Sequence, residues 1–349
     1  MTNFRKMKRI QEADVKNKKV LLRADFNVAI ENGRAKESFK IAACRESVKY
    51  LLEQGAKVAL VSHLGRPEGK VNPEFSLAQI QGDVEEILGK KIVFVEDCVG
   101  ATVKAGLENI AVGEVLLLEN VRFYSGEEKN DADFAQQLGE NFEVFVNDAF
   151  SVCHRDQASV TGVTKFLPSF GGFWLQKEIE NLEKAKNAAE HPAVAIIGGA
   201  KIETKLPLIN KFEEKYDHIL VGGKIANEAA EQRLKFSEKV ALPVDSAPGK
   251  LDIGPATIAE FKSIISSAKM IVWNGPMGKF EEKPNDAGTV AILAAIIASG
   301  AYSLMGGGES VEILEEQGDM DKISFVSTGG GAMLEYLSGN EMPGIKALE

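Results

Sequence analysis

The stretch Cys44–Pro67, CRESVKYLLEQGAKVALVSHLGRP, holds a helix, a stop, a strand and a charged tip in succession. Cys44, Val48, Leu51 and Leu52 recur at i, i+4, i+7 and i+8, the spacing of one helical face. Gly55 ends that helix before the next element. Lys57–Ser62 (KVALVS) is then an apolar run of strand length, as expected of a strand covered on both faces. His63 and Arg66 follow at its C-terminal end.

The same alternation extends in both directions. Lys19–Ala24, Ile92–Val95, Glu114–Leu118 and Glu143–Val146 read as further buried strands of the first half. Ala193–Ile197, His218–Val221, Met270–Trp273, Tyr302–Met305 and Ile323–Val326 repeat the pattern in the second. Strand–helix alternation predicts α/β architecture with doubly wound parallel sheets, which bind ligands at their C-terminal strand ends. Several second-half strands end in glycines: Gly198-Gly199, Gly222-Gly223, Gly275 and Gly306-Gly307-Gly308. Between the halves, Gly172–Glu190 puts Leu175, Ile179 and Leu182 on one face of an otherwise charged segment, predicting a connecting helix.

The 349 residues suit two domains, and 44% apolar residues suffice for two cores. A net charge of −10 argues against a general nucleic-acid binder, which needs a basic surface. The three cysteines, Cys44, Cys98 and Cys153, lack the spacing of a zinc site or a disulfide framework. The sequence shows neither an apolar signal core nor an apolar run of membrane-spanning length. A cytoplasmic protein without membrane or nucleic-acid partners is expected.

The first-half strands end in polar groups: Arg23, Asp25 and Asn27; His63 and Arg66; Arg122; His154 and Arg155. In a parallel sheet all of them come from one edge. Six of the groups can be cationic, and arginine forks suit carboxylate and phosphate. A single arginine is as readily explained by a surface salt bridge, but the set at strand ends is not. In the second half, GGAKIETK (198–205) is a glycine turn with Lys201 and Lys205 near a helix start, suited to nucleotide phosphates. It lacks the P-loop spacing. MGGGES (305–310) and STGGGA (327–332) are similar glycine turns.

In order along the chain, RADFNV (23–28), SHLGRP (62–67), ENVRF (119–123), GEEKND (126–131) and VNDAF (146–150) precede GGAK (198–201), LPVD (242–245), DIGP (252–255), WNGPMG (273–278), GGGES (306–310) and STGGGA (327–332). This series resembles the phosphoglycerate kinase family across about residues 10–349. The resemblance implies two Rossmann-like domains joined by a hinge helix. Residues 1–171 would bind 3-phosphoglycerate, 172–190 would form the hinge helix, and 191–331 would bind ADP or ATP with Mg2+. A tail over 332–349 would return to the first domain. The implied reaction moves a phosphoryl group between 1,3-bisphosphoglycerate and ADP, and hinge closure would bring the two substrates together. The resemblance also implies a monomer.

By motif match, Arg23, Asp25, Phe26, Asn27, Lys40, His63, Leu64, Gly65, Arg66, Arg122, His154 and Arg155 would surround the phosphoglycerate. Gly199, Lys201, Lys205, Gly222, Gly223, Asn274, Glu281, Gly306, Gly307, Gly308, Glu309 and Ser310 would surround the nucleotide, with Glu309 toward the metal. Lys40, Lys205, Gly307 and Gly330 would serve the transfer itself.

Several positions depart from the family pattern. Lys40 stands where the family has arginine, keeping the charge without the planar fork. Glu309 replaces aspartate, Lys224 a glycine near the base, and Gln157 a histidine. Pro207 is expected close to the start of its helix. The chain is trimmed between Asn227 and Leu242 and between Asp245 and Asp252. The alternatives to an active kinase are a non-catalytic paralogue that binds the metabolite and a kinase for another phosphorylated acid.

Overall fold

The computed structural model describes residues 6–349. The first sheet has six strands: β1 Lys19–Arg23, β2 Lys57–Val61, β3 Ile92–Val95, β4 Val115–Leu118, β5 Val144–Asn147 and β6 Ser169–Gly171. All pairings are parallel, in the order β3-β4-β2-β1-β5-β6. Alternate residues of each strand feed opposite faces. Val20, Leu22, Val58, Leu60, Val115, Leu117, Val144 and Val146 join one apolar core. Leu21, Ala59, Val61, Leu116, Leu118 and Phe145 join the other. Burial on both sides explains why these strands read as unbroken apolar runs rather than alternating ones.

The second sheet is built from β7 Ala193–Ile197, β8 His218–Val221, β9 Val240–Ala241, β10 Met270–Asn274, β11 Tyr302–Gly306 and β12 Phe325–Ser327. It is likewise all parallel, ordered β9-β8-β7-β10-β11-β12. Asn274 pairs in register with Ile197 and Gly306, and Gly306 with Ser327, so the strand tips lie level.

The chain divides into two compact units. One runs up to Ile179 and takes in Glu341–Glu349; the other is Glu180–Asn340. The connecting helix spans Phe173–Lys186 and carries the dividing point inside it. Its N-terminal end is fixed within the first unit, where Asp148 Oδ1 accepts from the Leu175 amide at 3.0 Å.

Two expectations need correction. The returning tail is shorter than residues 332–349: the helix Gly330–Ser338 packs against Ile202–Glu213 in the second unit, and the return begins at Glu341. There Gly344 N donates to Cys153 O at 2.9 Å, and Leu348 O accepts from Lys8 N at 2.9 Å. Pro207, expected near a helix start, lies inside the helix Ile202–Glu213. Its missing N–H leaves one bond of that helix unmade.

Candidate active site

The cationic residues of the first unit come from the ends of four adjacent strands, β4, β2, β1 and β5. Arg23 closes β1 and is fully buried. Its Nη2 lies 3.1 Å from His63 Nδ1, and its Nε donates to Ser159 Oγ at 2.9 Å. Ser159 Oγ in turn donates to Glu127 Oε1 at 2.6 Å. Arg122 follows β4, is 4% exposed, and donates from Nη1 to Gly65 O at 2.7 Å. Its Nη2 is buried without a hydrogen-bond partner in the protein. Asn27 Oδ1 accepts from the Gly65 amide at 2.9 Å, which ties the turn after β1 to the turn after β2. Asp25 Oδ1 accepts from the Asn27 amide at 3.0 Å and holds that turn in shape.

The same convergence shapes the electrostatics. His63 is pushed well below the ordinary imidazole range, first by burial and then by Arg23, Arg122, Arg155 and Lys40. Arg122 is lowered to about 10 by burial, then by Arg155, with Arg23 adding to it against the opposing carboxylates. Beyond burial, the like charges gathered here depress one another, and an anion would relieve that part.

The remaining first-unit candidates sort by environment. Phe26 and Leu64 are members of the apolar core. Arg66 is exposed beside Gly65, and Arg155 Nε donates to His154 Nε2 at 3.4 Å. Lys40 Nζ donates to Asn27 O at 3.1 Å and pairs with Glu37 Oε2 at 3.1 Å. His63 was expected among the groups able to carry charge; its surroundings keep it neutral. Sequence reasoning missed Ser159 as the bridge between Arg23 and Glu127. GEEKND marks Glu127 in the sequence without giving it a role.

In the second unit the glycine turns after β7, β8, β10, β11 and β12 form one cleft edge. They pack backbone against backbone. A Cβ on Gly198 would lie 2.0 Å from Pro276 O, and one on Gly330 would lie 3.0 Å from Gly307 Cα. Gly307 itself, at φ +114°, opens the helix Gly308–Gln317. One part of the cleft is lined by Gly199, Lys201, Lys205, Asn274, Gly307, Glu309, Ser310 and Gly330. It presents helix amides, a favourable seat for phosphate. Asn274 Oδ1 accepts from Lys205 Nζ, while its Nδ2 donates to Gly306 O at 2.7 Å. Burial lowers Lys205 to about 8, with Glu309 opposing the shift. Ser310 Oγ accepts from the Gly275 amide at 3.0 Å.

The adjoining part is a cavity of about 490 Å³ bounded by Gly199, Lys224, Glu228, Leu251, Pro276 and Glu281, among others. Its volume is in the range of small-ligand sites. Gly222 stands behind it, with Met277 Sδ 2.5 Å from where a Cβ would sit, and Gly223 (φ +67°) packs on Gly199. Lys224 lies along its helix, 69% exposed, with Nζ 3.6 Å from Glu228 Oε1. Gly306 and Gly308 flank the Gly307 turn.

Among the described residues no group of three or more His, Cys, Asp or Glu side chains is placed to hold a metal. Mg2+ usually takes one or two carboxylates together with substrate phosphates, so this donor set fits an ion delivered with a nucleotide. Glu309 is the carboxylate available for it. Partial burial, with Glu281 adding to it, raises the Glu309 pKa; Lys205 opposes that. Among the described residues no helix is long and apolar enough to cross a membrane.

An arginine-rich anion edge on one α/β unit, with a glycine-walled cleft and a half-buried lysine on the other, belongs to a phosphotransferase of two ligands. Comparison with known proteins gives the particular one. The phosphoglycerate kinase family model matches residues 10–235 and 227–340. The phosphoglycerate kinase of Moorella thermoacetica is 40% identical, with 97% of this chain and 98% of that protein aligned. That of Pelotomaculum thermopropionicum is 38% identical, with 98% of each aligned. The crystal structure of phosphoglycerate kinase from Pyrococcus horikoshii OT3 superposes with a TM-score of 0.88 at 29% identity, over 98% of each chain. This chain belongs to the phosphoglycerate kinase family. The Moorella alignment runs over 385 positions against 349 residues here, so that relative carries internal segments this chain lacks.

Proposed function

We propose that this chain transfers a phosphoryl group between 1,3-bisphosphoglycerate and ADP, giving 3-phosphoglycerate and ATP, with phosphoglycerate on the first unit and the magnesium nucleotide on the second. The observation that carries the assignment is the gathering of Arg122, Arg155, Lys40 and Arg23 around a neutral His63 at one sheet edge. Cations concentrated at one sheet edge, in a protein of net charge −10, make a site for a small polyanion.

In the forward direction the acyl-phosphate P–O bond breaks and a new P–O bond forms to the β-phosphate of ADP. The carboxylate leaves with its electron pair and needs no proton at neutral pH, since its pKa lies far below 7. A general base is therefore unnecessary, and a neutral His63 is no handicap. Positioning and charge stabilisation are what remain for the protein to supply.

Arg122 supplies an unpaired Nη2, and Arg155 and Arg66 add charge for the phosphoglycerate anion. Lys205, held by Asn274, and the amides of Gly307 and Gly330 would stabilise the transferring group. Glu281 and the 490 Å³ cavity would take the nucleoside end. Mg2+ would be held by Glu309 and the nucleotide phosphates, and would neutralise phosphate charge. Lys40 would supply the positive charge that the family places there as arginine. On family likeness alone, the enzyme is proposed to work as a cytoplasmic monomer of 37.8 kDa, which sedimentation would check.

Titration calorimetry with the two ligands separately tests the division of labour. Arg122→Ala is expected to abolish 3-phosphoglycerate binding and leave magnesium ADP binding intact; Lys205→Met is expected to do the reverse. Loss of both ligands in either variant, with the fold retained, contradicts the assignment.

A further inference from the structure

His63 and Arg23 meet through a contact that permits only one arrangement of protons. Arg23 Nη2 lies 3.1 Å from His63 Nδ1. A guanidinium has donors and no acceptor, so His63 Nδ1 must be the acceptor and carry no hydrogen. The neutral ring then keeps its single N–H on Nε2.

The guanidinium cannot turn away to release this constraint. Arg23 is fully buried, and its Nε donates to Ser159 Oγ at 2.9 Å. Ser159 is anchored twice to Glu127: its Oγ donates to Oε1 at 2.6 Å, and its amide donates to Oε2 at 2.8 Å. Glu127 is itself completely buried. The charges of Arg23 and Glu127 thus offset one another through a serine inside the unit, behind the cationic edge. A buried charge pair bridged in this way is a poor source of stability compared with an apolar substitute. Its geometry has a different consequence, which lies at the imidazole.

We propose that Arg23 is a positioning residue: the buried chain Glu127–Ser159–Arg23 fixes His63 as the neutral Nε2–H tautomer, so that the ring serves as an uncharged hydrogen-bond donor to the anionic substrate. This rests on the phosphoglycerate reading for the identity of the anion, but the tautomer does not depend on it. The carboxylates Asp25, Glu127 and Glu128 act on the neighbouring arginines, while burial and the nearby cations Arg23, Arg122, Arg155 and Lys40 all oppose protonation of the ring. A neutral donor adds directionality where further charge would only add to their mutual repulsion. Arg23 therefore acts through His63 and makes no contact with substrate of its own.

The test is a long-range 1H–15N correlation spectrum of the whole ligand-free protein, across pH 6 to 8. The chain has only four histidines, and His63→Asn assigns the signal. The expected pattern is a protonated Nε2 and an unprotonated Nδ1 throughout. An Nδ1–H tautomer or an imidazolium overturns the proposal without any further variant. Arg23→Met/Glu127→Gln removes both buried charges together, with circular dichroism to confirm folding. The expected result is a mixture of tautomers and 3-phosphoglycerate affinity reduced about tenfold, the scale of one hydrogen bond. An unchanged spectrum in that variant overturns the role of Arg23. A correct tautomer in a wild-type protein that ignores 3-phosphoglycerate would instead count against the phosphoglycerate reading.

Discussion

Burial brings the Lys205 ammonium down to about 8, so in the free protein it still carries its proton at pH 7 and loses it above pH 8. Only the charged form attracts phosphate. Magnesium ADP affinity should therefore fall as pH rises from 7 to 9, and bound phosphate should pull the lysine pKa back up. Calorimetry at several pH values reads this directly, and Lys205→Met should flatten the profile. Lys40 poses a different residue-scale question. Its ammonium is shared between Asn27 O and Glu37, both at 3.1 Å, and a lysine cannot match the fork of an arginine. Lys40→Arg is expected to raise kcat severalfold in steady-state assays; no change would remove Lys40 from the transfer step. The cations were legible in the sequence because each closes an apolar strand. That Arg23 is buried was not legible. Its partner Ser159 lies 136 positions further on, and nothing local marks the pairing.

At the scale of elements, the buried strands were readable because each is apolar on both faces, and most boundaries fell within a residue or two. β6 and β9 were not read. Ser169–Gly171 follows a proline and ends in a glycine, and Val240–Ala241 is two residues long. Edge strands this short owe their pairing to their neighbours, not to their own pattern. The antiparallel pair Ile30–Glu31 with Arg34–Ala35 escaped for the same reason. It is fixed from outside by Asp83, whose Oδ2 accepts from Ala35 N at 2.9 Å.

Two element-scale predictions follow from close packing and from burial. Gly330→Ala would press a Cβ against Gly307 Cα at 3.0 Å, tighter than ordinary contact. The two glycine turns would separate, so weaker magnesium ADP binding with 3-phosphoglycerate binding unchanged is expected in calorimetry. Asp148, at the start of the connecting helix, has its pKa raised to about 6 by burial, against the bonds from Ser47 and the helix amides. Because its folded pKa exceeds its unfolded one, the folded state holds the proton more tightly between pH 4 and 6. Stability should therefore decline as pH rises through that window, by on the order of 2–3 kcal/mol. Asp148→Asn should remove this slope, read as Tm against pH by scanning calorimetry. A slope unchanged in the variant would show that Asp148 is not its source.

Across the whole molecule, the proposed reaction divides between the two units, and the motifs for both halves stand in order along the sequence. What it did not hold was the place where the chain returns. Gly330–Ser338 has an apolar face suited to either unit, and only its packing on Ile202–Glu213 assigns it. Glu341–Glu349 then joins the first unit through Gly344, whose Cα leaves no room for a Cβ against Cys153 and Val160. Removing 341–349 should lower the thermal stability of the first unit, read as a lower Tm of the ligand-free protein by scanning calorimetry. Under the proposed function the two ligands are substrates of one transfer. A coupled assay of ATP formation from 1,3-bisphosphoglycerate, ADP and Mg2+ tests that claim most directly. Turnover that requires all three components and is lost in Lys205→Met is the predicted result; two ligands that bind and never react would contradict it.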